Sequence, residues 1–151
     1  MKKLKLMSVI FLMVANLLIN AQTNHVKVIA VVNKANWCGV CKANGERLSN
    51  NIMPYTTKGL EIVINDLTDE TTITKSKEEL KKSSLYKQIY KANRKGVGRM
   101  MQYCGIVHGK NKNMVSGIIT FIDAHTLKEL TETSIAITDG EMKTIIDKLL
   151  N

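Results

Sequence analysis

Apolar residues fall in short dense runs separated by polar stretches, and their spacing predicts alternating strands and helices. His25–Asn33 (HVKVIAVVN) is dominated by valine and isoleucine and bounded by polar residues, the pattern of a strand buried on both faces. Lys34–Cys41 (KANWCGVC) reads as a loop entering a helix that runs from about Cys41 towards Ile52, with Pro54 ending it. Leu60–Asn65 (LEIVIN) is a second strand. A polar stretch follows, then Lys77–Lys91, where the spacing of Leu85 with Ile89 and of Tyr86 with Tyr90 predicts a lysine-rich helix with one half-buried face. That spacing makes the two tyrosines core contacts rather than a binding stripe. Arg94–Gly117 holds Gly96, Gly98, Gly105, Gly109 and Gly117, and shows no clear period. Ile118–Asp123 (IITFID) is a third strand and Glu129–Ile137 a fourth, joined by Ala124–Lys128 as a hairpin connection. At the end, Thr138 and Glu141 form a capping box ahead of Met142, Ile145, Ile146, Leu149 and Leu150 at helical spacing.

Strand, helix, strand, helix, hairpin and final helix describe an α/β chain: a parallel βαβ pair extended by an antiparallel ββα unit. The expected product is one central mixed sheet flanked by helices. At 151 residues the chain is long enough for a single domain. With 44% hydrophobic and 23% charged residues, its composition excludes disordered and collagen-like classes.

The first segment has a different character. Lys2, Lys3 and Lys5 precede an apolar run, Leu6–Ala15, broken only by Ser8, and Ile19-Asn20-Ala21 stands just before Gln22. A basic start, a short apolar core and a small residue at the end predict a secretory signal peptide over residues 1–21, with the mature domain over 22–151. The apolar stretch is too short for a membrane-spanning helix, which needs roughly 20 apolar residues. Removing residues 1–21 with their three lysines leaves 130 of the 151 residues and lowers the net charge from +9 to +6. The expected location is therefore outside the cytoplasm: the periplasm, the cell envelope or the exterior, with no stable membrane span after cleavage. Nucleic acid is not an expected partner, because the remaining lysines are scattered rather than clustered.

Export bears on the three cysteines, because an oxidising compartment forces thiols to pair or to be kept reduced by a donor. Trp37-Cys38-Gly39-Val40-Cys41 places two cysteines at a strand-to-helix junction. The first turn of a helix has unpaired N–H groups and partial positive charge, which favour a thiolate. Cys38 is therefore the expected nucleophile. Cys41, one turn deeper, is placed to attack a mixed disulfide formed on Cys38. Gly39 allows the tight turn between them and Lys34 adds nearby positive charge. The same pair could instead form an inert structural disulfide or half of a metal site.

The segment VIAVVNKANWCGVCK resembles the thioredoxin-like family, and the order of elements after it agrees over essentially the whole of residues 22–151. The resemblance implies a thioredoxin-like fold and thiol–disulfide exchange with protein partners, fed by a redox donor and needing no cofactor. It also implies Cys38 as attacking thiol, Cys41 as resolving thiol, and Trp37 with Val40 as part of the contact surface. The sequence departs from the family's pattern at three points. Val32 stands where thioredoxins bury a carboxylate, six residues before the first cysteine. Ser116 or Gly117 stands where the family has a cis-proline facing the cysteines. The spacer is Gly39-Val40 rather than Gly-Pro.

Cys104 is left over, and His108 follows it by four residues. Cys38, Cys41, Cys104 and His108 would make a Cys₃His set suited to zinc, and Met100, Met101 and Met114 would add soft ligands for copper. The plainer reading makes Cys104 a buried small hydrophobe or a third redox thiol. His25 and His125 have no ligand-like spacing. Three functions thus remain open: an oxidoreductase, a zinc- or copper-binding module, and a binding domain of the same fold with a structural disulfide.

Overall fold

The computed structural model describes residues 25–91 and 115–151. Within these, four strands form one sheet: β1 (Val28–Lys34), β2 (Leu60–Asp66), β3 (Ile118–Asp123) and β4 (Glu129–Ser134), in the order β2-β1-β3-β4. β1 runs parallel to β2 and antiparallel to β3, and β4 is antiparallel to β3. The helices are α1 (Gly39–Ile52), α2 (Glu70–Lys82) and α3 (Asp139–Leu150). This is the mixed βαβ-then-ββα sheet that the hydrophobic pattern predicts.

β1 is buried from Val28 to Asn33, as its valine-rich run requires, and its side chains alternate between two cores. Val28, Ala30 and Val32 face Leu48 and Ile52 of α1 and Met142, Ile146 and Leu150 of α3, with Phe121 and Ile119 of β3 beside them. Ile29 and Val31 face Leu80 of α2 and the following residues Leu85, Ile89 and Tyr90. Both sheet faces are therefore covered.

The boundaries differ from the sequence expectation where capping decides them. The strand expected over His25–Asn33 is Val28–Lys34, and the fourth ends at Ser134 rather than Ile137. The single helix expected over Lys77–Lys91 is really two elements. α2 begins at Glu70, inside the polar stretch before the expected helix, because Asp69 and Thr72 form a reciprocal capping box. It stops at Lys82, where Ser83 caps it and Ser84 turns to φ +62°, before a short π-helical turn over Lys87–Lys91. Tyr90 lies in that second piece and Tyr86 just before it, with stacked rings 5.1 Å apart; Tyr90 is buried and Tyr86 half-buried. α1 ends at Ile52, as the proline implied, but Met53–Lys58 continues as a 3₁₀ turn with Pro54 near its start. Gly59 closes that turn at φ +101°, its Cα facing the His25 carbonyl, so a larger residue there would be strained and crowded. α3 carries the expected box, with Thr138 and Glu141 satisfying each other's backbone N–H groups.

Phe121 is fully buried between α1, α3 and β1. Phe121→Ala should cost about 3–5 kcal/mol, the range for deleting a buried aromatic side chain. Urea denaturation followed by far-ultraviolet circular dichroism checks it; a loss under about 1 kcal/mol would mean that this core does not close as described.

Candidate functional site

The cysteine pair sits where β1 leaves the sheet. Lys34 ends the strand, Ala35 is buried, and the Cys38 N–H donates to the Ala35 carbonyl at 3.1 Å, which turns the chain into α1. Cys38 is the N-cap, in extended conformation, and its Sγ accepts the Cys41 N–H at 3.2 Å. A cysteine sulfur thus occupies the place usually taken by a serine or aspartate oxygen, satisfying one of the helix's unpaired donors. The helix starts at Gly39 rather than near Cys41, so Gly39 and Val40 form its first turn. Trp37 is 41% exposed, and its indole N–H is shared between the carbonyls of Leu67 (3.2 Å) and Thr68 (3.1 Å) in the loop after β2.

Cys41 follows one turn along the helix, and the two sulfurs differ in exposure. Cys38 is only 7% exposed, whereas Cys41 is half-buried and lines a groove of about 290 Å³ between α1 and the β1–β2 side of the sheet. The groove walls near it are apolar: Val32, Leu48, Ile52, Ile62, Ile64 and Ile135. Val32 pairs in register with Ile64, so the position where a carboxylate was expected to be missing is packed with hydrocarbon. Desolvation among these groups, followed by the hydrogen bond with Cys38, pushes the Cys41 thiol up from its ordinary 9.0 to about 12. Access and desolvation therefore part company: Cys41 is reachable, but its thiolate is poorly supported.

Lys34 does not offer a free charge to the pair. Its Nζ lies 3.0 Å from Asp66 Oδ2 on the neighbouring strand, while its side chain lines the groove. Asp66 is held below the usual carboxylate range by hydrogen bonds from Thr68 and Lys34, which outweigh its partial desolvation.

Gly117, one of the two positions expected to face the pair, lies beside Cys38 and Val40. A methyl group on Gly117 would lie 3.6 Å from Cys38 Sγ and equally close to Val40 Cγ1, so the backbone here forms a wall facing the sulfur with room for little more than a methyl between them. No cis peptide occurs among the described residues, and Gly117 turns at φ +81°, where glycine is favoured. Ser116 is buried beside it. The wall is tied on both sides: the Gly117 N–H donates to the Asn33 carbonyl at 2.7 Å, and its carbonyl accepts the Ile135 N–H at 3.0 Å.

Two sets of residues around the site were not singled out from the sequence. Arg47 on α1 donates to the carbonyls of Ile135 (3.1 Å) and Ile137 (2.8 Å) and pairs with Asp139, anchoring the β4–α3 connection to α1. A buried polar chain, Tyr90–Asn65–Asn33, runs under the other face of the sheet. The one available signal was the matched asparagine ending both valine–isoleucine runs, VVN and VIN.

Cys104, His108, Met100, Met101 and Met114 lie outside the described residues, as does the 1–21 segment. Among the described residues, no group of three or more His, Cys, Asp or Glu is placed to hold a metal ion. His25 and His125 are both exposed, with ring centroids 5.0 Å apart. No helix among the described residues is long and apolar enough to cross a membrane.

Because the raised Cys41 pKa marks a proton held more tightly in the folded state than in the unfolded one, its contribution to stability is complete below pH 9.0 and is lost as pH rises towards about 12. Urea midpoints should therefore fall more steeply with pH in this window for the reduced wild type than for Cys41→Ser. Parallel curves would show the thiol to be ordinary. Gly117→Ala should destabilise by about 1–3 kcal/mol, from backbone strain rather than from overlap with Cys38. Chemical denaturation reads this directly.

No family model matches the sequence, and no curated protein does. Among solved structures, the chain is similar to Trxlp from Edwardsiella tarda, with 10% identity and a TM-score of 0.44, over 87% of this chain and 90% of that one. It is also similar to the thioredoxin domain of a thiol-disulfide oxidoreductase from Bacteroides vulgatus, with 17% identity and a TM-score of 0.45, over 85% and 82% of the two chains. Both scores are low. It is the strand order, the strand directions and the cysteine pair at the start of α1, rather than either likeness, that make this chain thioredoxin-like in fold.

Proposed function

We propose that the protein is an exported thiol–disulfide oxidoreductase that exchanges disulfides with protein partners through Cys38 and Cys41. The observation that carries this reading is the capping of α1 by Cys38 Sγ, which accepts the Cys41 N–H at 3.2 Å. Negative charge on that sulfur faces backbone donors and the positive end of the helix, the environment that supports an attacking thiolate. An inert structural cysteine would have no need of this position.

In the forward direction, the Cys38 thiolate attacks one sulfur of a substrate disulfide. A Cys38–substrate bond forms, the substrate S–S bond breaks, and the other sulfur leaves as a thiolate. Cys41 then gives up its proton and attacks Cys38 Sγ. This forms the Cys38–Cys41 disulfide and releases the second substrate sulfur, so the substrate gains two electrons and the pair loses them. A dithiol donor reverses the change in the protein. The second step is the harder one here, because desolvation holds the Cys41 proton and the groove presents Val32 and Ile64 rather than a carboxylate beside it. Trp37, held over the Leu67–Thr68 loop and 41% exposed, supplies contact surface beside the attacking sulfur. Export follows from the basic and apolar character of residues 1–21, and cleavage after Ala21 gives a mature chain starting at Gln22.

Purified protein with a dithiol donor should reduce a protein disulfide, and Cys38→Ser should fall to the uncatalysed rate. Cys41→Ser should instead accumulate a mixed disulfide with substrate, visible by mass spectrometry. In the wild type, the resolution step should accelerate about tenfold per pH unit below the Cys41 pKa, because only the thiolate attacks. Absence of exchange in the wild type would end the enzymatic reading. Export is tested by sequencing the amino terminus of protein recovered from outside the cytoplasm, where Gln22 is the expected first residue.

A further inference from the structure

We infer that the buried chain Tyr90–Asn65–Asn33 is a positioning device that holds the Val115–Gly117 turn as a wall over Cys38 and so controls access to the attacking sulfur. The hydrogen bonds run in one direction. The Tyr90 hydroxyl donates to Asn65 Oδ1 at 2.8 Å, Asn65 Nδ2 donates to Asn33 Oδ1 at 2.8 Å, and Asn33 Nδ2 donates to the Val115 carbonyl at 3.0 Å. Asn33 and Asn65 are 0% and 1% exposed, side by side in the parallel β1–β2 register, and Tyr90 is 9% exposed. The same Asn33 accepts the Gly117 N–H through its own carbonyl at 2.7 Å. One residue of the central strand therefore grips the turn twice, at Val115 and at Gly117, and Gly117 faces Cys38 Sγ closely enough that an added Cβ would lie 3.6 Å from it.

Two asparagines in a strand core otherwise built from valine and isoleucine have an energetic consequence. A buried amide stripped of its partner is costly, so loss of one link strands the next, and the chain holds as a unit. The turn it grips has no proline to stiffen it, and Gly117 is the most permissive residue for the backbone. Outside restraint thus replaces intrinsic rigidity, with Asn33 supplying it from the sheet and Tyr90 completing it from the segment after α2. None of the three residues touches a substrate; they act through the Val115–Gly117 turn.

The inference rests on Cys38 being the attacking thiol, and its test does not depend on turnover. In a Cys41→Ser background, the rate of Cys38 alkylation by iodoacetamide is measured across pH for Tyr90→Phe, Asn65→Leu and Ile146→Ala, with the Tm of each. Ile146, on α3, is buried in the opposite core and serves as a control for general destabilisation. Tyr90→Phe and Asn65→Leu should raise the alkylation rate about fivefold by opening the wall, while Ile146→Ala stays within about twofold at a comparable or larger loss of Tm. Tyr90→Phe removes a single oxygen and keeps the ring packing, so it decides the matter if Asn65→Leu does not fold. Alkylation at the parental rate in Tyr90→Phe, or rates that follow Tm alike in all variants, would overturn the positioning role. A wild type inactive in disulfide exchange would remove the oxidoreductase reading and leave the alkylation comparison intact.

Discussion

Strand β1 is hydrogen-bonded along both edges, parallel to β2 and antiparallel to β3, and both of its faces are covered by helices. Almost everything that matters at the site is set by where this strand stops. Its last residues lead through Ala35 directly into the Cys38 cap of α1, so the position of the Cys38 sulfur is fixed by a central strand buried from Val28 to Asn33. A loop-borne cysteine would inherit the mobility of its loop; this one inherits the rigidity of a central strand.

The two sulfurs have then been given different surroundings by the same helix. Cys38 takes the end with unsatisfied donors, and Cys41, one turn on, faces Val32, Ile62 and Ile64 across the groove. The alternation of β1 explains the second environment. Val32 points towards the α1–α3 core, where a valine is at home, and its register partner Ile64 extends the same apolar wall. Making this face of the strand a uniform hydrocarbon surface strengthens the core and at the same time sets beside Cys41 side chains that cannot take its proton.

The opposite face makes the reverse choice. There the Val–Ile alternation yields to Asn33 and Asn65, and the cost of burying two amides is offset by a continuous hydrogen-bonded chain that reaches Tyr90 at one end and the Val115 carbonyl at the other. The hydrophobic face of β1 near the cysteines thus sets the chemistry of one thiol. Its polar face holds the backbone that covers the other.

The sequence by itself determined the number and kind of most elements, the mixed sheet and the location of the cysteine pair. Each rests on local information: valine-rich runs for strands, the Thr138–Glu141 box for the last helix, and the spacing of Cys38 and Cys41. Local signals failed where capping overrides periodicity, as at Glu70, where the helix begins in a polar stretch because Asp69 and Thr72 cap it. They also failed at Asn33, which along the chain looks like the polar boundary of a strand and in space is fully buried within it. Only tertiary structure could decide that Cys41 opens to a groove while Cys38 is covered, that Lys34 is claimed by Asp66, and that Asn33, Asn65 and Tyr90 form one chain. Each of these depends on residues far apart in sequence meeting through sheet register and helix packing, and no spacing along the chain encodes such a meeting.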